Sequence, residues 1–172
     1  MNILNPFSRE EYYMKKSLGQ YGKEFNLYKF KTMINGADSI KYFEFVGRIN
    51  GFGKILDDER IIEERAWMRK THFDEIPNLY NFLKGDLSFV GIRPKSLDTW
   101  EAFPKKHVKR ALQFKPGLFG INYAYTNLRD FKDLIQAEEE YLSRKEEQPL
   151  KTDIEYFSKI IYNKTILGER SS

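Results

Sequence analysis

Apolar residues fall at Ile76, Leu79, Tyr80 and Leu83, the i, i+3, i+4, i+7 spacing of a helix that buries one face. Gly85 follows where a left-handed cap would end it, so the spacing predicts a helix of about nine residues. Pro77 has no N–H and is tolerated only in a first turn, which sets the start near Asp74 and makes Asp74 the expected N-cap. Phe25 to Met33 places aromatic and β-favouring residues between polar ones and reads as a strand. Asp38 to Asn50 reads as a helix closed by a Gly51-Phe52-Gly53 turn, and Asp58 to Lys70 as a charged helix. Ser96 to Phe114 reads as helical in part, with a break at Pro104. Asp130 to Glu147 predicts an acidic helix with Phe131, Leu134 and Tyr141 turned inward and Glu138 to Glu140 on a solvated face. Ile154 to Ile166 predicts a last helix. No internal repeat or low-complexity linker interrupts the pattern. The expected class is α+β: one helix-rich domain over residues 1–172 with a short strand or hairpin element.

Composition agrees with a single core. With 172 residues, 41% hydrophobic and 16% aromatic, the chain can bury one core and is short for two. It has no cysteine, which excludes disulfides, thiolate catalysis and thiolate zinc sites. Its two histidines, His72 and His107, argue against a His-rich metal site or a Ser-His-Asp triad, and each reads as an ordinary surface or half-buried residue. Nucleophilic chemistry therefore falls to carboxylates.

Twenty-nine basic against 25 acidic residues leave a net charge of +4. The excess suits an anionic partner, but no RNP, zinc-finger or basic-zipper motif points to nucleic acid. No stretch approaches the about 18 apolar residues that a membrane span needs, and the start lacks the layout of a secretory signal. Phe7, Tyr12, Tyr13 and Met14 beside Lys15 and Lys16, and Phe43, Phe45, Val46 and Ile49 near Lys41 and Arg48, join aromatic or apolar groups to basic ones. Such patches can adsorb to an anionic membrane surface without crossing it, or simply pack on the domain.

The candidate chemistry sits between Arg69 and Pro94, where Asp74 and Glu75 are adjacent and Arg69, Lys84 and Arg93 flank them. On local spacing alone, an Asp-Glu pair opening a helix reads as an ordinary cap worth about 1 kcal/mol. The surroundings carry more information. The run from Arg69 through His72-Phe73-Asp74-Glu75-Ile76-Pro77 to Leu83-Lys84-Gly85-Asp86-Leu87-Ser88 and Val90-Gly91-Ile92-Arg93-Pro94 resembles, without a gap, the central motif of the bacterial sugar transferases, monotopic phosphoglycosyl transferases. Gly22 to Met33 is similar to that family's Gly-x-x-Phe-x-x-Tyr-Lys-Phe-Arg-Thr-Met strand, Lys115 to Gly120 to its Lys-Pro-Gly-Ile-Thr-Gly turn, and Asp153 to Tyr156 to its Asp-x-x-Tyr element. The resemblance spans about residues 11–165.

The resemblance implies a two-step transfer in which an Asp carboxylate attacks the β-phosphorus of a nucleoside-diphosphate sugar, with UDP-sugar the expected donor class, and polyprenyl phosphate then takes the phosphosugar. Asp74 matches the nucleophile. Glu75 matches the second acid, with Mg²⁺ expected as cofactor on Glu75 and Asp74. Arg69, Lys84, Arg93 and Pro94 are the expected phosphate and substrate contacts, and Asp153 matches a further acidic position. Members begin with a re-entrant membrane helix that has no counterpart here, so the expectation is either a shortened catalytic domain or a natural member acting at the inner face of the cytoplasmic membrane. Ile92, Lys31, Asn78 and Arg65 depart from the family pattern, and Ile121 to Asn127 replaces its Trp-Ala-Gln-Val-Asn-Gly-Arg run. A catalytically silent relative that binds a nucleotide sugar or a pathway partner is the alternative reading.

Overall fold

A computed structural model describes residues 12–37 and 58–165. The predicted helix at 38–50, its glycine turn, and the apolar groups at Phe7 and 43–49 lie outside the described residues. Strands β1 (Tyr12–Leu18) and β2 (Glu24–Phe30) form an antiparallel hairpin with Tyr12 opposite Phe30 and Leu18 opposite Glu24. After it come α1 (Ala66–Thr71), a 3-10 turn at Phe73–Glu75, α2 (Asn78–Lys84) and β3 (Ser88–Gly91). Helices α3 (Leu97–Glu101) and α4 (Lys105–Ala111) lead to β4 (Gly117–Gly120), a 3-10 turn at Ile121–Ala124, and the long helices α5 (Phe131–Glu147) and α6 (Pro149–Thr165). The architecture is α+β.

The hairpin accounts for the strand expected at Phe25. Phe25 and Leu27 are buried while Glu24 and Asn26 face out, the period of two that one covered face requires. Tyr12 and Tyr13 belong to the facing strand, where Tyr12 packs on Phe30 with ring centroids 5.1 Å apart. Strands β3 and β4 pair in parallel, and this second sheet is absent from the sequence pattern because four-residue strands are too short to show a period. Its two chains approach closely at Gly91 and Gly117: a Cβ on Gly91 would stand 2.8 Å from the Gly117 nitrogen.

The main core gathers Val90, Ile92, Trp100, Phe103, Ile121, Leu134, Tyr141, Leu142, Tyr156 and Ile160. Leu134 and Tyr141 are buried and Phe131 partly so, as the spacing along α5 predicts. Asp130 caps that helix, accepting from the Asp133 N–H at 2.9 Å. Pro104 separates α3 from α4.

Several expectations need correction. The charged helix from Asp58 begins only at Glu63, in a 3-10 turn, because residues before it pair elsewhere: Ile61 bridges to Met33, Ile62 N–H donates to Thr32 C=O, and Asp58 takes Arg60 in a two-pronged ion pair. The face of α2 is inverted. Ile76, Leu79, Tyr80 and Leu83 are exposed, Leu83 at 83%, while Asn78 and Asn81 are buried. Asn81 explains this: its amide donates to Asn26 C=O at 2.7 Å and accepts from Tyr28 N–H at 3.2 Å, so it docks α2 on the backbone of β2. Finally, Glu138 and His107 are both buried, where a solvated face and a surface or half-buried histidine are expected. Glu138 takes Lys95 on one oxygen and His107 on the other, so burial is matched by pairing.

Candidate active site

Helix α1 ends at His72, a non-glycine residue with φ of 59° in the left-handed region. That reversal turns the chain into the Phe73–Glu75 turn. Asp74 and Glu75 then sit beneath the hairpin rather than at the head of α2. Asp74 does not cap the helix: Pro77 occupies the N-cap position with no side-chain bond there. Its carboxylate instead lines a cavity of about 240 Å³ that also takes in Glu75, Arg69, Arg93, Pro94 and Lys29. Gly85, with φ of 85°, closes α2 as expected.

The two acids have opposite environments. Asp74 is only 5% exposed, and burial raises its pKa above the ordinary carboxylate value. Lys29, Arg69 and Arg93 pull it down and the Glu75 charge pushes it up, without cancelling the burial effect. Burial also raises Glu75, but there the charges of Arg93 and Lys29 more than offset it and hold the carboxyl well below its usual range. Lys29 Nζ donates to Glu75 Oε1 at 3.0 Å, and Arg93 Nη2 donates to the same oxygen. Both cations favour the ionised form of Glu75.

Arg69 behaves differently from its neighbours. Its guanidinium reaches Thr32 Oγ1 at 3.4 Å and, among the described residues, pairs with no carboxylate. Arg93 is engaged at both ends, by Glu75 and by the Tyr123 hydroxyl.

Lys84 and Asp153 lie away from this cavity. Lys84 is half exposed at the end of α2 and pairs with Asp86 at 3.1 Å, which raises its pKa. Asp153 faces α5 from α6, accepts from the Tyr141 hydroxyl at 2.9 Å and pairs with Lys145. Sequence reasoning passed over Lys29, His72, Tyr123 and Lys164, all grouped around the acid pair. Lys29 stands inside the strand block that carries the resemblance, so its position was a usable signal. Lys164, which lies 4.4 Å above the Tyr123 ring, had none.

A sequence model of the family described as bacterial sugar transferase matches residues 6–165. The chain belongs to the bacterial sugar transferase family. Among curated members of this family, it is 36% identical over 135 residues to the galactosyl transferase CpsE of Streptococcus agalactiae, a match covering 76% of this chain and 30% of that protein. It is 36% identical over 115 residues to the undecaprenyl-phosphate galactose phosphotransferase of Salmonella typhimurium, covering 63% and 24%. It is 30% identical over 117 residues to the UDP-galactose-lipid carrier transferase of Erwinia amylovora, again 63% and 24%. The chain thus spans less than a third of the length of each of these sugar transferases.

Proposed function

We propose that this domain moves a sugar phosphate from a nucleoside-diphosphate sugar, UDP-galactose being the first donor to try, onto polyprenyl phosphate, through a covalent phosphosugar on Asp74. The observation that carries the reading is the pairing of roles in one cavity: a buried Asp74, a Glu75 that accepts from Lys29 and Arg93, and an Arg69 guanidinium that, among the described residues, pairs with no carboxylate. The relatives' names, which speak of galactose, undecaprenyl phosphate and UDP-galactose, point the same way.

In the first step an Asp74 carboxylate oxygen attacks the β-phosphorus. The bond from that phosphorus to the bridging oxygen breaks, and the nucleoside monophosphate leaves with the electron pair. In the second, an oxygen of the acceptor phosphate attacks the same phosphorus and the Asp74–phosphorus bond breaks, restoring the carboxylate. Neither step requires a general base, because both nucleophiles are anions. Arg69 binds the diphosphate through its planar fork. The charges of Lys29, Arg69 and Arg93 favour the ionised form of Asp74 against the burial that opposes it.

Asp74 and Glu75 are also the acids that would hold Mg²⁺. Among the described residues no third His, Asp or Glu joins them, and both donated bonds on Glu75 fall on Oε1. Two carboxylates with phosphate oxygens and water are a donor set that suits Mg²⁺. When bound, the ion would neutralise charge between the carboxylate and the diphosphate.

Contact with a membrane surface, where a polyprenyl phosphate resides, is supported by the exposed row of Trp67, Phe73, Ile76, Leu79 and Leu83 beside the acid pair. No helix among the described residues is long and apolar enough to cross a membrane. The reading is tested by incubating the protein with Mg²⁺ and a panel of UDP-sugars and measuring intact mass. A phosphosugar adduct on the wild type that vanishes in Asp74→Asn is expected. An adduct that persists in Asp74→Asn overturns the assignment.

A further inference from the structure

Tyr123 lies in the 3-10 turn Ile121–Ala124, inside the stretch that departs most from the family pattern, and it is buried. Its hydroxyl accepts from Arg93 Nη1, while Arg93 Nη2 donates to Glu75. The guanidinium is therefore pinned at both ends, and its Cζ lies 5.4 Å from the Tyr123 ring centroid. Two further contacts hold the ring: Lys164 Nζ stands 4.4 Å from its centroid, and the His72 ring meets it edge-on at 4.9 Å. The turn itself is tied to α6, where Asn163 Nδ2 donates to Tyr123 C=O at 3.1 Å.

A guanidinium held by one carboxylate can pivot about that contact, whereas one held at two points presents a fixed charge. Electrostatic catalysis depends on such fixed dipoles and charges, because a group that must reorient during the reaction loses part of its effect. We propose that Tyr123 is a positioning residue of the acid site: it locks the Arg93 guanidinium onto Glu75 and links that lock to the last helix. The proposal rests on the functional reading above for its kinetic consequence, but the lock itself is a property of the free protein.

Tyr123→Phe removes the hydroxyl and keeps the ring with its Lys164, His72 and core contacts. The expected result, with UDP-galactose and Mg²⁺ in single-turnover conditions, is adduct formation slowed about tenfold, the worth of one hydrogen bond to a charged group, with donor KM changed less than about twofold. In an Arg93→Ala background the same change should cost less than about twofold, because Tyr123 acts through Arg93. Equal losses in both backgrounds, or no loss in the wild-type background, overturn the proposal. A second readout needs no activity: ¹⁵N NMR of the guanidinium should give separate lines for the two Arg93 Nη atoms in the wild type and one averaged line in Tyr123→Phe. Averaged lines in the wild type sink the lock. A wild type that forms no adduct but shows resolved lines retains the lock and removes the functional reading instead.

Discussion

Lys95 Nζ donates to Glu138 Oε1 at 2.6 Å, and both residues are buried although they stand on separate segments, the stretch after β3 and helix α5. The ammonium also lies 4.5 Å from the Trp100 ring and 4.8 Å from that of Phe103. The other oxygen of Glu138 meets His107 Nε2 at 2.8 Å, and His107 Nδ1 meets Glu139 Oε1 at 2.6 Å. Lys95 and Glu138 line the same cavity as Asp74, so this ion pair is part of the wall that shapes the site.

The pair sets an acid limit on stability. Burial raises the Glu138 carboxyl, but Lys95 and His107 more than offset it, so its folded pKa is below the ordinary value. A depressed carboxylate contributes stability above its unfolded pKa and loses it as pH falls through the folded one. Urea unfolding from pH 7 downward should therefore show a decline below about pH 4, near the ordinary Glu value, that Glu138→Gln flattens. Burial already lowers the Lys95 pKa, and at pH 7 Glu138→Ala should cost about 3–5 kcal/mol by leaving that ammonium buried without its partner.

Glu75→Gln removes one negative charge and leaves Lys29 and Arg93 facing the cavity. It also removes a repulsion that raises the Asp74 pKa. Calorimetric titration with UDP should show affinity rising several-fold, by about 1 kcal/mol, while turnover falls about 100-fold. Weaker UDP binding would contradict the charge balance described here.

Gly117→Ala should destabilise the fold by about 2 kcal/mol or more, read as a lower denaturant midpoint. A Cβ there collides with the backbone of Gly91 rather than with a flexible side chain, so relief requires β3 and β4 to separate.

Leu79→Glu and Leu83→Glu together should change unfolding free energy by less than about 1 kcal/mol, since both side chains are exposed. Co-sedimentation with vesicles containing anionic phospholipid should nevertheless fall about tenfold for the double variant. Unchanged sedimentation would detach the exposed row from any membrane role.

The sequence pointed to much of this arrangement, and its failures share a cause. A strand at Phe25, a helix stop at Gly85, a break at Pro104 and the inner face of α5 were all legible, because each rests on local period, a backbone-special residue or a cap. The α2 stripe misled because the same spacing describes an apolar face whether it packs inward or faces out. Asn81, which decides the matter, acts on backbone groups of β2, more than fifty residues earlier. Glu138 was likewise unreadable, since one glutamate in an acidic run looks like any other until Lys95 and His107 are placed beside it.

Sequence alone determined the family, the short-range elements and the Asp74-Glu75 pair as the place to look, since these are written in contiguous residues. Tertiary structure decided the electrical character of that pair. Desolvation and the Coulomb field depend on distances through space, so only folding could bury two neighbouring acids, bring Lys29, Arg69 and Arg93 around them and drive their pKa values in opposite directions.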